Sequence, residues 1–371
     1  MSEPNWAELR RQFPMLETWT YLDTARKAPL PLCVEQATRD FFKDVNENAG
    51  DEVWNPASVE KTRAVMARLL GAPANSISFV KNTTEGLNIA SHALDLEPGD
   101  NIVVTDMEHR ANLWVWEHWR AKGCQIRCVQ NRDGRLPVEA FLEKIDEKTK
   151  VVATAWVTYR NGYRVDLKTL GGICRERGAS LVVDAVQGAG LLSDPLSELN
   201  ADFISIGGHK HLLGLTGSGV LYSRPELVKN AMPGITKTAE YFTIDPATLE
   251  RYDQHRFESG NPNFLGLLVF RRAAEFLESI GLENIETRVR ELTDELLSML
   301  KQRHIRTQTP TNWNERCQIV NILVDADAKT LSAQLHQQRI AVNVRDGILR
   351  ASMSFFNNEA DLETLVRALP R

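Results

Sequence analysis

The sequence predicts an α/β fold: a large domain on a mainly parallel sheet over residues 1–255, and a smaller α+β C-terminal domain over 256–371. Two observations predict it. Strand-like stretches at 101–104, 125–129, 151–154, 181–184 and 203–206, most of them largely apolar, alternate with stretches of helical spacing, the pattern of a parallel sheet whose strands are joined by crossover helices. Past residue 263 that alternation stops, and two long amphipathic stretches precede isolated strands.

The elements follow in order. A short amphipathic helix over 6–14 leads to a brief strand at Tyr21-Leu22-Asp23 and a turn through Pro29 and Pro31. Residues 56–71 have helical spacing and stop at Gly71; residues 76–80 read as a strand. Lys81-Asn82-Thr83-Thr84-Glu85 turns into a helix with two readings that hold together: a Thr N-cap with Glu in the first turn, or a hydroxyl-bearing helix start that binds an anion. In the C-terminal domain the spacing predicts helices over 265–280 and 282–303, a strand over 319–324, a helix over 331–338, a strand over 348–354 and a last helix over 359–369.

Composition narrows the function classes. The chain has 371 residues, 43% hydrophobic and 25% charged, enough for a large core. A net charge of −5 with dispersed Lys and Arg argues against a nucleic-acid surface. The first residues have no basic-then-apolar leader pattern, and no apolar run reaches the ~18 residues of a membrane span; the expected location is cytoplasmic, with no membrane partner. The five cysteines (Cys33, Cys124, Cys128, Cys174, Cys317) form no C-x-x-C pair and no histidine cluster accompanies them, so reduced thiols and no metal are expected.

The chemistry centres on Ile206-Gly207-Gly208-His209-Lys210. A lysine held in a glycine-rich turn after a buried strand loses hydration, which favours the neutral, nucleophilic amine of a Schiff-base lysine. Upstream, Asp184 ends the run Leu181-Val182-Val183. Alone it reads equally as a helix N-cap; beside Lys210 it is placed as the acid that keeps a proton on the ring nitrogen of pyridoxal 5'-phosphate.

Asp184-Ala185-Val186-Gln187 followed by Gly208-His209-Lys210 resembles the class V, fold type I pyridoxal-phosphate enzymes, the group of cysteine desulfurases, selenocysteine lyases and isopenicillin N epimerase-like proteins. The resemblance runs from Tyr21-Leu22-Asp23 to Arg350-Ala351-Ser352. It implies a homodimer acting on an amino acid as small-molecule substrate, with Lys210 holding the cofactor and Asp184 on its ring nitrogen. It further implies that His109, in Glu108-His109-x-x-Asn112, stacks on the pyridine. Thr83, Thr84, His209 or Ser205 would serve the phosphate, Gln187 the cofactor hydroxyl, and Asn261, in the loop 256–263, the neighbouring subunit's phosphate. Arg350 would grip the substrate carboxylate.

This chain departs from the family pattern in five places, one being Asn261, which stands where a Thr is common and keeps a side-chain donor. Arg26 and Lys27 stand where relatives have small residues, as an added cation at the substrate or an exposed basic turn. Gly207 replaces a phosphate-binding Ser. Thr158-Tyr159 replaces a Ser-Asn pair, so Tyr159 or the displaced Asn161 would take over its contact. The segment 339–347, where desulfurases keep a nucleophilic cysteine, has none, and Cys317 lies one strand and one helix earlier. Persulfide chemistry is therefore not expected. The favoured reaction is a C–S lyase-type β-elimination, with transamination, epimerisation and a silent cofactor-binding protein as alternatives. Arg26 or Arg345 is expected to meet a second anionic group.

Overall fold

The computed structural model describes residues 4–228, 254–258 and 260–370. Twelve strands are described: β1 (Thr20–Tyr21), β2 (Ile77–Val80), β3 (Asn101–Thr105), β4 (Gln125–Val129), β5 (Thr149–Ala155), β6 (Ser180–Asp184), β7 (Phe203–Gly207), β8 (Gly219–Ser223), β9 (Ile319–Leu323), β10 (Ile340–Ala341), β11 (Asn343–Arg345) and β12 (Ile348–Ser352). Seven of them form one sheet in the order β2-β8-β7-β6-β5-β3-β4, in which only β8 runs antiparallel to its neighbours.

The central strands are apolar on both faces because successive side chains point to opposite sides. Val103, Val152, Leu181, Val183, Ile204 and Ile206 join one core, with the helices Pro56–Leu69, Leu167–Glu176 and Phe264–Ile280. Ile102, Val104, Val151, Ala153, Val182 and Phe203 join another, with the helices Thr83–Ala93 and Ala111–Ala121. Parallel sheets bind ligands beyond the carboxyl ends of their strands. Here those ends present Asp106, Trp156, Asp184 and the turn after Gly207.

The C-terminal residues build a three-stranded antiparallel sheet, β11-β12-β9. Leu292, Leu296 and Leu300 recur every four residues along the helix Leu282–Gln302 and pack on Val320, Ile322 and Leu349. The N-terminal residues fasten onto this part: β1 pairs in parallel with β10, and Asp23 bridges to Ser352. Among the described residues no helix is long and apolar enough to cross a membrane.

The strands β8, β10 and β11 are additions to the sequence reading, and two further segments differ from it. A helix, Leu32–Glu47, follows the proline turn; Pro31 rather than a hydroxyl residue stands at its N-cap, which hides its start. The helix after β2 is capped by Asn82, whose side chain accepts from Glu85 N at 2.9 Å, and not by a threonine. With Asn82 in that role, the Thr83 and Thr84 hydroxyls are free of it.

Candidate active site

Lys210 lies in the turn after β7. Gly208 N donates to Ser218 O and Gly214 N to Gly208 O, each at 2.8 Å, which folds the turn back on itself. A side chain at position 208 would stand 3.0 Å from the Phe270 ring and from Ser218 O, so any residue but glycine would crowd the turn. The Lys210 amine makes no hydrogen bond or ion pair with any described residue. Burial pushes it down to about 8, against the pull of Asp184 and with the help of Arg350.

The carboxylate of Asp184, buried at the end of β6, accepts one hydrogen bond among the described residues, from Val186 N at 3.1 Å. Burial raises its carboxyl; Lys210 and His109 oppose that rise. His109 Nδ1 accepts from Ala111 N at 3.2 Å, which places the proton of the neutral ring on Nε2. Its ring meets Tyr159 edge to face, centroids 5.3 Å apart. Beneath it Glu108 is buried and takes bonds from Asn112 Nδ2 (2.8 Å), Thr105 Oγ1 (2.9 Å), Ala155 N (2.9 Å) and Thr154 Oγ1 (3.3 Å). Desolvation still pushes Glu108 up to about 7. From the sequence, Glu108 is only the first residue of the Glu108-His109-x-x-Asn112 motif, with no role of its own; its bond from Asn112 joins the two ends of that motif.

The start of the helix Thr83–Ala93 faces the same turn. Gly86 lets this helix approach β7, where a Cβ would meet Ser205 Oγ at 2.2 Å, and Ser205 Oγ donates to Thr83 O at 2.9 Å. The N–H groups of Thr83 and Thr84 make no hydrogen bond among the described residues, as expected of a helix start open to an anion. A Cβ at Gly207 would come within 3.0 Å of Thr83 Oγ1 and 3.3 Å of His209, so the glycine leaves an open cradle between them. Burial drives His209 down to about 4, so it is neutral there.

The loop 22–28 is pinned from several sides. Ala25 N donates to Ser352 Oγ (2.8 Å), Ala28 N to His209 O (3.1 Å), and Tyr21 OH to Lys27 O (2.6 Å). Gln187 Nε2 donates to Ala25 O at 2.9 Å while its Oε1 accepts from Gln318 at 3.0 Å. The structure thus commits Gln187 to the loop. Buried Asp23 accepts from Arg26 Nε at 2.6 Å and from Arg350 Nη2 at 3.4 Å. Arg350 also donates to Tyr159 O at 2.9 Å, and its Nε is buried without a partner.

The remaining sequence candidates sort as follows. Asn161 braces a turn, accepting from Thr158 Oγ1 at 2.6 Å and donating to Gly134 O at 2.7 Å, so Tyr159 is the residue that reaches His109. Asn261 is exposed; Ser259 of the same loop lies outside the described residues. Arg345 and Ile348 close a hairpin through Asp346 (φ 52°) and Gly347 (φ 76°), the two-residue turn with both φ positive. Only this two-residue turn lies between β11 and the strand that holds Arg350. Beside Arg350 and His109 opens a cavity of about 1370 Å³, which also touches Tyr159, Asn321 and Arg345.

A desolvated lysine and a buried acid at adjacent strand ends, under a histidine and beside an open helix start, form the donor set of the pyridoxal-phosphate enzymes. The Aminotransferase class-V family matches residues 20–368. The chain belongs to the class V aminotransferase family.

Relatives in this class V family include a probable cysteine desulfurase of Methanothermobacter thermautotrophicus, 26% identical over 98% of this chain and 96% of that one. The apo structure of a cysteine desulfurase from Thermococcus onnurineus NA1 superposes with a TM-score of 0.88 at 26% identity, covering 99% of this chain and 97% of that one. A structure of a cystine C–S lyase with its product cysteine persulfide shares the fold, with a TM-score of 0.87 at 21% identity and coverage of 96% and 98%. As a class V member the protein is a pyridoxal-phosphate-dependent enzyme with the fold type I architecture, and the residues present fit that cofactor: an acid for its ring nitrogen, a partnerless amine for its aldehyde, and an open anion cradle for its phosphate.

Proposed function

We propose that the protein is a C–S lyase that cleaves a cysteine derivative by β-elimination without a persulfide cysteine. The observation that supports it most is the Arg345–Ile348 hairpin. Its two-residue turn stands where the resemblance puts the nucleophilic loop of a desulfurase, and it has no thiol. No other cysteine stands in. Cys317 is fully buried with its thiol pushed up to about 12, and burial raises the other four as well. Thiolates, not thiols, attack sulfur.

Bound pyridoxal phosphate supplies the electron sink for the pair released at the substrate α-carbon. Asp184 keeps a proton on the ring nitrogen, and the His109 ring holds the ring plane. Thr83, Thr84 and His209 hold the phosphate through hydroxyl, N–H and neutral imidazole. Arg350 takes the α-carboxylate, pre-aimed by Asp23 and Tyr159 O. Lys210 then moves the α-proton: an amine near 8 is a competent base at neutral pH. Homodimer assembly through the loop around Asn261 completes the proposal; a monomer that keeps cofactor and activity in sedimentation would remove that part.

The test is product analysis. Anaerobic incubation with S-substituted cysteines should release pyruvate, ammonia and a free thiol with no added reductant. Alanine together with enzyme-bound sulfur would mark a desulfurase, and a keto acid with the sulfur still attached would mark a transaminase.

A further inference from the structure

Free cysteine would fill little of the cavity of about 1370 Å³ beside Arg350. Five arginines line it, and three have carboxylate partners: Arg350 with Asp23 (3.4 Å), Arg345 with Asp346 (3.2 Å) and Arg135 with Glu315 (3.6 Å). Arg26, the cation expected from the sequence to be available, is also held by Asp23 at 2.6 Å. Arg110 and Arg160 differ. Neither guanidinium makes a hydrogen bond or ion pair with any described residue. Each lies instead by an aromatic ring, Arg110 at 5.9 Å from Trp114 and Arg160 at 5.8 Å from Tyr159.

Their placement joins them to the chemistry. Arg110 follows His109 beyond β3, Arg160 follows Tyr159 beyond β5, and the His109 and Tyr159 rings touch at 5.3 Å. The acids on the same wall do not neutralise them. Asp106 is occupied by Asn131 N (3.0 Å) and Nδ2 (2.8 Å), Glu108 is buried beneath, and Asp133 pairs with neither arginine. A guanidinium is a planar fork of donors matched to a carboxylate, and a ring beside it restricts its motion without using those donors.

We infer that Arg110 and Arg160 form an anion subsite for a carboxylate at the far end of the substituent on the substrate's sulfur. The inference rests on the elimination reading and names its substrate class: cysteine thioethers with a distal carboxylate. In the balanced step the α-proton leaves for Lys210, the Cβ–S bond breaks with both electrons going to sulfur, and the thiolate takes a proton. Water then converts the three-carbon enamine to pyruvate and ammonia.

The holoenzyme should turn over S-(2-carboxyethyl)cysteine with a higher kcat/KM than S-propylcysteine, and S-(2-aminoethyl)cysteine least well. In Arg110→Gln and Arg160→Gln, KM for the carboxyethyl substrate should rise about tenfold each, the loss of one charge-assisted contact, with kcat and S-propylcysteine kinetics unchanged. Calorimetric binding of 2-aminopimelate, which has no leaving group, should weaken in parallel. Equal kcat/KM for carboxyethyl and propyl substrates, or an unchanged double variant, would overturn the subsite. A protein that releases no pyruvate from any thioether but binds 2-aminopimelate through both arginines would support the subsite and remove the elimination reading.

Discussion

The two sides of the site handle charge in opposite ways. At the ends of β6 and β7, Lys210 has no partner among the described residues and Asp184 has one backbone bond. Around Arg350, by contrast, Asp23 serves two guanidiniums and a backbone carbonyl holds the third contact. The first side stores unmet electrostatic demand, visible as a depressed amine and a raised carboxyl; the second spends its charges on orientation. A ligand that brings charge is therefore expected to matter most on the strand-end side, and geometry most on the arginine side.

The largest expected effect tests the partnerless lysine. Lys210→Ala should lower activity by about a thousandfold or more, the scale of a lost proton carrier, and should abolish borohydride fixation of the cofactor at that position. A variant that still fixes cofactor at one defined site would break the contrast at its root. Next comes pH. Because the amine sits near 8 rather than 10.5, its neutral fraction at pH 7 exceeds that of an ordinary lysine by roughly three-hundredfold. Cofactor uptake by apo-protein should rise with pH to a midpoint near 8. The sign for stability is the same: between 8 and 10.5 the unfolded chain holds the proton and the folded one does not, so apo-protein stability rises through that window.

Asp184→Asn should cost about a hundredfold in kcat, some ~2.7 kcal/mol of barrier, with cofactor still retained through its phosphate. Undiminished kcat would deny the acid its role. On the paired side Asp23→Asn should act through KM, raising it about tenfold for any substrate while kcat holds, since only the aim of Arg350 is lost. A fall in kcat with constant KM would show Asp23 touching the chemistry instead. The smallest effect belongs to Cys317→Ala: activity within about twofold of the parent and stability lower by ~1 kcal/mol, from one small core vacancy. An inactive, folded Cys317→Ala protein would restore a desulfurase mechanism.

What the sequence disclosed follows the same divide. Asp184 and Lys210 were legible because each ends or follows a fully apolar run, and such runs mark the sheet edge where parallel folds bind ligands. Arg350 and His109 needed the family resemblance, since neither has a local pattern of its own. The pairing of Asp23 with Arg26 and Arg350 joins residues from opposite ends of the chain, and no periodicity encodes that. Nor could spacing show that Gln187 faces Ala25, or that Arg26 is held while Arg110 and Arg160 are not. The helix over Leu32–Glu47 was missed for a local reason: its buried Asp44 interrupts the apolar face and accepts N–H groups from Glu52 and Val53.

The parallel pairing of β1 with β10 also bears on how the enzyme is made. Thr20 and Tyr21 leave the ribosome long before Ile340, Ala341 and Ser352, which fix the loop 22–28. Until they emerge, Asp23 has no Arg350 to aim and Ala25 has no Ser352 hydroxyl to anchor it. The strand-end half, complete once the helix Phe264–Ile280 has brought Phe270 against the Gly208 turn, can fold before that. Nascent chains stalled just short of residue 340 should therefore capture the cofactor at Lys210 while remaining unable to select a substrate.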